Sequence, residues 1–110
     1  MMGYYDIKLS GSSRYHFTLK AGNHETILSS EIYESKQGAL SGILSCQTNS
    51  PLDERYDRQT ARDGSPYFNL KAGNGQVIGT SEMYSSTAAR DNGIESVKTN
   101  GPSTDVRDNT

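Results

Sequence analysis

Phe68-Asn69-Leu70-Lys71-Ala72-Gly73-Asn74-Gly75 stands 51 positions after Phe17-Thr18-Leu19-Lys20-Ala21-Gly22-Asn23-His24. Outward from this stretch the match continues without a gap. Ile27 falls on Ile78, Ser30-Glu31 on Ser81-Glu82 and Tyr33 on Tyr84. Gly42-Ile43 falls on Gly93-Ile94, Thr48-Asn49 on Thr99-Asn100 and Pro51 on Pro102. The same spacing pairs Tyr5 with Tyr56 and links Asp6, Asp57 and Asp108. A fixed period of self-similarity marks one supersecondary unit used more than once. The chain therefore reads as two units, residues 1–54 and 55–110, with a tail from about Asp105 that resembles the opening of a third. A unit this short buries too little surface to be stable alone, so the two are expected to pack as one globular domain.

Each unit has a local grammar. Tyr5, Ile7 and Leu9 alternate with Asp6, Lys8 and Ser10, the period of a half-buried strand. Gly11-Ser12-Ser13 and Asp63-Gly64 read as turns. A second strand is expected over Tyr15–Ala21 and Tyr67–Ala72. Asn74-Gly75 between strands suggests a hairpin in which both residues tolerate positive φ. In the first unit His24 would have to accept that conformation. The third strand is expected over Thr26–Tyr33 and Val77–Tyr84. Apolar residues on both its faces suit a central position. Ser35 and Ser86 sit where helix N-caps belong, and the helices run to about Asn49 and Asn100. Gly38, Gly42 and Cys46 beside Ile43, and Ala89, Gly93 and Val97 beside Ile94, form narrow apolar stripes. Gly101-Pro102 reads as a helix stop, with Gly101 in a left-handed cap.

The expected class is α+β: two tandem β-β-β-α units plus a short C-terminal strand. They form a largely antiparallel sheet with helices packed on one face. The last strand, about Asp105–Asp108, would take the place in the second unit that Arg55–Gln59 takes after the first helix. The strings Phe68–Gly75, Ser81-Glu82-Met83-Tyr84 and Asn92–Val97 resemble the YegP-like family of small bacterial proteins, in its tandem-duplicated form. The resemblance spans essentially the whole chain. It implies a single β-sheet with helices on one side, and it implies no activity, because that family has no established function. The first unit departs from the pattern at His24 and at Gly38-Ala39-Leu40.

Bulk properties narrow the function classes. The chain has 110 residues, a net charge of -2 and 32 % hydrophobic residues, with eleven Gly, seven Tyr and no Trp. Its sequence pI is about 5.6 and its mean hydropathy is -0.75. The basic balance typical of nucleic-acid binders is missing, so nucleic acid is not an expected partner. Cys46 is the single cysteine, and no Cys/His spacing suggests a metal site. No cofactor is implied. The N-terminal residues lack a basic region followed by an apolar stretch, and no apolar run could span a bilayer. A reducing cytoplasmic location is the default expectation.

The repeat filters the candidate sites. Lys20, Asn23, Lys71 and Asn74 lie in the repeated Lys-Ala-Gly-Asn turns, and one reading is an anion site faced by turn amides and a lysine. A hairpin turn with a solvated lysine is the plainer reading, since turn chemistry alone explains Asn-Gly. Glu31 with Tyr33 and Glu82 with Tyr84 would share a strand face, next to Lys20 or Lys71. An acid–base cluster is one reading of that arrangement. A cross-strand ion pair beside a packed tyrosine is the plainer one. Cys46 matches Val97, a core position, so a buried inert thiol is expected. No catalytic constellation is recognisable, and no enzyme is expected. The leading expectation is a non-catalytic module whose open sheet face binds a protein partner or forms a homodimer. The alternative is an anion or nucleotide binder using the two turns.

Overall fold

The alternation around Ile7 becomes β1 (Tyr4–Leu9), followed by β2 (Tyr15–Lys20) and β3 (Thr26–Ser30). Helix α1 spans Lys36–Asn49, and a 3₁₀ turn at Asp53–Arg55 leads into β4 (Tyr56–Thr60). The second repeat gives β5 (Pro66–Lys71), β6 (Val77–Thr80), α2 (Thr87–Asn100) and β7 (Val106–Asp108). This is a computed structural model, and it describes residues 2–110. All strands join one seven-stranded sheet in the order β4-β5-β6-β3-β2-β1-β7. Every pairing is antiparallel except that of β1 with β7.

The repeats meet at the centre, where β3 pairs with β6 and Ser29 faces Thr80, its own equivalent. A pseudo-twofold axis therefore passes through the middle of the sheet. Both helices lie on one side, over a single core that includes Tyr5, Ile7, Phe17, Leu19, Leu28, Phe68, Leu70, Ile94 and Val97. Each helix crosses the axis to touch strands of both repeats. The expected N-caps are present. Ser35 Oγ accepts from Gly38 N–H at 3.0 Å, and Ser86 Oγ accepts from Ala89 N–H at 3.0 Å.

The third strand of each repeat is shorter than its pattern suggests. It ends at Ser30 and Thr80 rather than at Tyr33 and Tyr84. A serine hydroxyl causes this. Phe17 N–H donates to Ser30 Oγ at 2.8 Å, and that hydroxyl donates to Glu31 O. Phe68, Ser81 and Glu82 repeat the arrangement. The side chain stands in for a backbone partner, and the chain leaves the regular ladder. Tyr33 and Tyr84 then stack on Phe17 and Phe68, with interplanar angles of 12° and 11°.

Those rings explain the repeated helix glycines. A Cβ on Gly42 would lie 2.3 Å from Tyr33 Oη, and one on Gly93 would lie 2.2 Å from Tyr84 Oη. Gly101 also serves close approach. Its φ of -58° is ordinary helical backbone, not the left-handed cap the sequence suggests. A Cβ there would sit 2.1 Å from Ser50 Oγ. The helix C-termini are tied down by tyrosines. Tyr56 Oη donates to Ser50 O and Tyr5 Oη donates to Gly101 O, each at 2.6 Å.

The last strand does not take the place expected for it. The slot beside the second repeat's helix end, equivalent to that of β4, is already filled by β1 and its Tyr5. The tail therefore pairs outside β1, in parallel, with Asp6 opposite Arg107. Arg107 stacks 3.6 Å over the Tyr4 ring, and Lys36 of α1 pairs with Asp108.

Gly42→Ala or Gly93→Ala should each cost about 1–3 kcal/mol in urea unfolding, the usual range for overpacking. In a Tyr33→Ala background Gly42→Ala should cost much less. Equal costs in the two backgrounds would refute the tyrosine–glycine account. A second expectation concerns β7. Hydrogen bonding by Lys36, then by Thr110, lowers the Asp108 carboxyl to about 2. The ion pair is thus fully formed above the ordinary carboxyl range of about 4 and is lost as pH falls toward about 2. An NMR titration should show Asp108 ionising near that value and returning toward the ordinary range in Lys36→Ala.

Candidate functional site

The uncovered face of the sheet is built by strand parity. When Tyr5, Phe17, Leu19, Phe68 and Leu70 point to the helices, their neighbours point away. Register then aligns one residue from each strand: Arg107, Asp6, Thr18, Ser29, Thr80, Asn69 and Asp57. At a strand spacing of about 4.8 Å this row spans about 29 Å. Its centre is small and polar, and Thr80 Oγ1 donates to Asn69 Oδ1 at 2.8 Å. Both ends carry a carboxylate with partners. Asp6 accepts from Asn109 Nδ2 at 2.6 Å and pairs with Lys8 at 3.6 Å. Asp57 pairs with Lys71 at 3.0 Å and accepts from Gln59 Nε2 at 2.8 Å. Hydrogen bonding by Lys71, then by Gln59, holds the Asp57 carboxyl below its usual value.

Few tyrosines are left for this face. Tyr5 and Tyr56 belong to the core, and Tyr33 and Tyr84 pack against it. Tyr4 is buried beneath Arg107, and its hydroxyl lies 2.9 Å from His24 Nδ1. Tyr15 is in phase with Phe17 and Leu19 on the helix side, and Tyr67, half-buried opposite Gln59, remains. The open face is thus a hydrogen-bonding surface, not an aromatic one.

The proposed lysine–glutamate–tyrosine clusters do not assemble. Lys20 and Lys71 are on the open face, where Lys20 Nζ donates to Thr26 Oγ1 at 3.2 Å and Lys71 pairs with Asp57. Tyr33 and Tyr84 turn to the helix side. Glu31 and Glu82 lie beyond the strand ends, exposed, so neither shares a strand face with its tyrosine. Burial first, then the nearby Glu31 or Glu82 charge, raises the Tyr33 and Tyr84 phenols above their usual value. Cys46 is fully buried, and burial pushes its thiol up to about 12. It is protonated and shielded, as the match to Val97 suggests.

The Lys-Ala-Gly-Asn turns spend most of their polar groups internally. His24 N–H and Gly75 N–H donate to Ala21 O and Ala72 O, and Ala21 and Ala72 donate across to Glu25 O and Gln76 O. Asn23 Oδ1 accepts from Glu25 N–H, and Asn74 Oδ1 from Gln76 N–H. The left-handed residues are His24, with φ 71°, and Gly75, with φ 87°. Asn74 is not left-handed, so the loop is a longer turn with a bulge rather than the two-residue form.

On the helix side a cleft of about 460 Å³ lies between α1 and the β5–β6 hairpin. Glu31, Tyr33, Ser41, Ser45 and Gln76 supply its polar lining, with Ala72 and Ile78 as an apolar wall. Sequence reasoning found Glu31 and Tyr33 but not their partners, because the other wall belongs to the other repeat. Among the described residues no group of three or more His, Cys, Asp or Glu is placed to hold a metal ion. No helix there is long and apolar enough to cross a membrane.

The repeat and the sheet together have known relatives. The model of a domain of unknown function, DUF1508, matches residues 12–57 and again 61–108. The chain belongs to this family. The family frame starts each unit at the second strand, so the same repeat is cut in another phase. Over 110 residues the chain is 52 % identical to the UPF0339 protein YegP of Escherichia coli K12, covering all of both chains. It is 59 % identical over 110 residues to a UPF0339 protein of Bordetella pertussis, covering 100 % of this chain and 98 % of that one. The solution NMR structure of Escherichia coli YegP, described as a protein of unknown function, superposes with a TM-score of 0.94 at 52 % identity. It covers 100 % of this chain and 95 % of that one. A solution NMR structure of a UPF0339 protein from Shewanella oneidensis gives 0.92 at 56 % identity, covering 98 % and 92 %. These relatives carry the fold and no named activity.

Adding inorganic phosphate should leave the amide signals of Gly22, Asn23, Gly73 and Asn74 in place, since Lys71 is held by Asp57 and Lys20 by Thr26. Saturable shifts confined to those amides would restore the anion site.

Proposed function

We propose that the protein is a non-catalytic binding module of the bacterial cytoplasm, working through the uncovered face of its sheet. The observation that carries this reading is the polar row from Arg107 to Asp57, with Thr18, Ser29, Thr80 and Asn69 at its centre. Donors and acceptors there are aligned on a rigid scaffold, so little side-chain entropy is lost when a partner docks. Such a surface suits a protein partner, or a second copy, that makes many hydrogen bonds. The separation of Lys20 and Lys71 from Tyr33 and Tyr84 by the sheet supports a binding role over acid–base chemistry. The single cysteine, buried and unpaired, agrees with a reducing compartment. An anion-binding role for the turns has less support, because Lys71 is engaged by Asp57 and Lys20 donates to Thr26.

A photoreactive residue at Ser29 should give a discrete protein adduct in living bacteria. The same residue at Leu44, 64 % exposed on the outer side of α1, should give none. Adding Asn69→Arg to the Ser29 probe should abolish the adduct without unfolding the chain. Adducts from Leu44 and not from Ser29 would overturn the reading.

A further inference from the structure

The cleft between α1 and the β5–β6 hairpin is independent of the open face. We propose that it binds a small organic cation, an alkyl amine or guanidinium on a short apolar stem, with Glu31 as the counter-charge. Its volume, about 460 Å³, falls within the range of small-ligand sites. Glu31 is the single formal charge on its lining. Most carboxylates of the chain hold ion pairs, such as those of Asp53, Asp57, Asp91 and Asp108. Among the described residues no cation pairs with Glu31. The Tyr33 hydroxyl has no hydrogen-bond partner among those residues either, and burial raises its phenol above its usual value. The lining therefore offers a carboxylate for a cationic head and a phenol for a neighbouring polar atom. Ala72 and Ile78 form the apolar wall for the stem.

The residues that line this space differ between the repeats. At the equivalent positions of the second repeat Ala89 stands for Gly38 and Asn92 for Ser41. A glycine inside a helix costs about 1 kcal/mol against alanine. Gly42 repays that cost by admitting Tyr33. At Gly38 a Cβ would stand 3.3 Å from Ser35 Oγ and 3.4 Å from Tyr33 Cδ1, so the glycine gives both room, and it leaves space beside Glu31.

The test is an NMR titration of the full chain with agmatine, against neutral 1,4-butanediol of similar stem length. Agmatine should shift the amides of Gly38, Ser41, Gly42 and Gln76 saturably, and butanediol should not. Glu31→Gln should weaken binding about tenfold or more. Glu82→Gln, at the equivalent position, should leave it unchanged. Ser41→Leu, an exposed helix substitution that fills the cleft, should abolish binding while the rest of the spectrum is retained. No saturable shift, equal shifts with butanediol, or equal losses from Glu31→Gln and Glu82→Gln would overturn the proposal. The row amides at Thr18 and Ser29 are not involved, so failure here is separate from failure of the open-face reading.

Discussion

Two copies of one motif that share a sheet must meet at an axis, and there each residue faces its own equivalent. Small polar residues tolerate this, and Ser29 opposite Thr80 is such a meeting. Large ones do not, because both copies would claim the same volume. Leu28 fills the space above the central strands, and its equivalent is Gly79, where a Cβ would lie 2.9 Å from the Leu28 side chain. Ser50 presses on the helix end opposite, and its equivalent is Gly101. At both places the repeat loses its symmetry so that the sheet can stay continuous. The return is that β3 and β6 cover each other's edges, which would otherwise offer unpaired backbone for aggregation.

Away from the axis the symmetry is kept, and the repeated strings prove to be parts of one device. The serine hydroxyl of Ser30 or Ser81 replaces a backbone partner and turns the chain off the sheet. The tyrosine three residues later is thereby aimed at the helix. The glycine of Gly42 or Gly93 lets that ring lie against the helix backbone. Substituting any member displaces the others, so serine, tyrosine and glycine recur together. The Ser-Glu-x-Tyr motif and the Gly-Ile motif, far apart in sequence, are two sides of a single contact.

Local chemistry was legible in the residues. The helix caps at Ser35 and Ser86, the strained His24 turn, the buried Cys46 and the inward side of β2 and β5 all depend on near neighbours. Strand ends, turn form and strand order depend on distant ones. The alternation through Tyr33 did not reveal the serine inserted at Ser30, and so the lysine–tyrosine grouping failed. Asn74-Gly75 suggested a two-residue turn, yet the left-handed conformation is confined to Gly75. The tail resembled the strand after the first helix, but β1 already held that slot. The open-face row was half visible, since Asp6 and Asp57 recur in phase. Its continuity required the β3–β6 register, which no local pattern encodes.

The same logic changes how a duplicated chain should be searched for function. Features present twice invite a functional reading because they are preserved. Here the turns, the Ser-Glu-x-Tyr segment and the helix glycines are each accounted for by folding alone. Departures between the copies divide into two kinds. Those at the axis, such as Leu28 with Gly79, follow from the steric clash of equivalents. Those away from it, such as Gly38 with Ala89, Ser41 with Asn92 and Gln76 with Glu25, relieve no clash. They border one cleft, beside Glu31 and Tyr33. A repeat fixes what the fold requires of both copies. What one copy does that the other does not is therefore the better guide to a site.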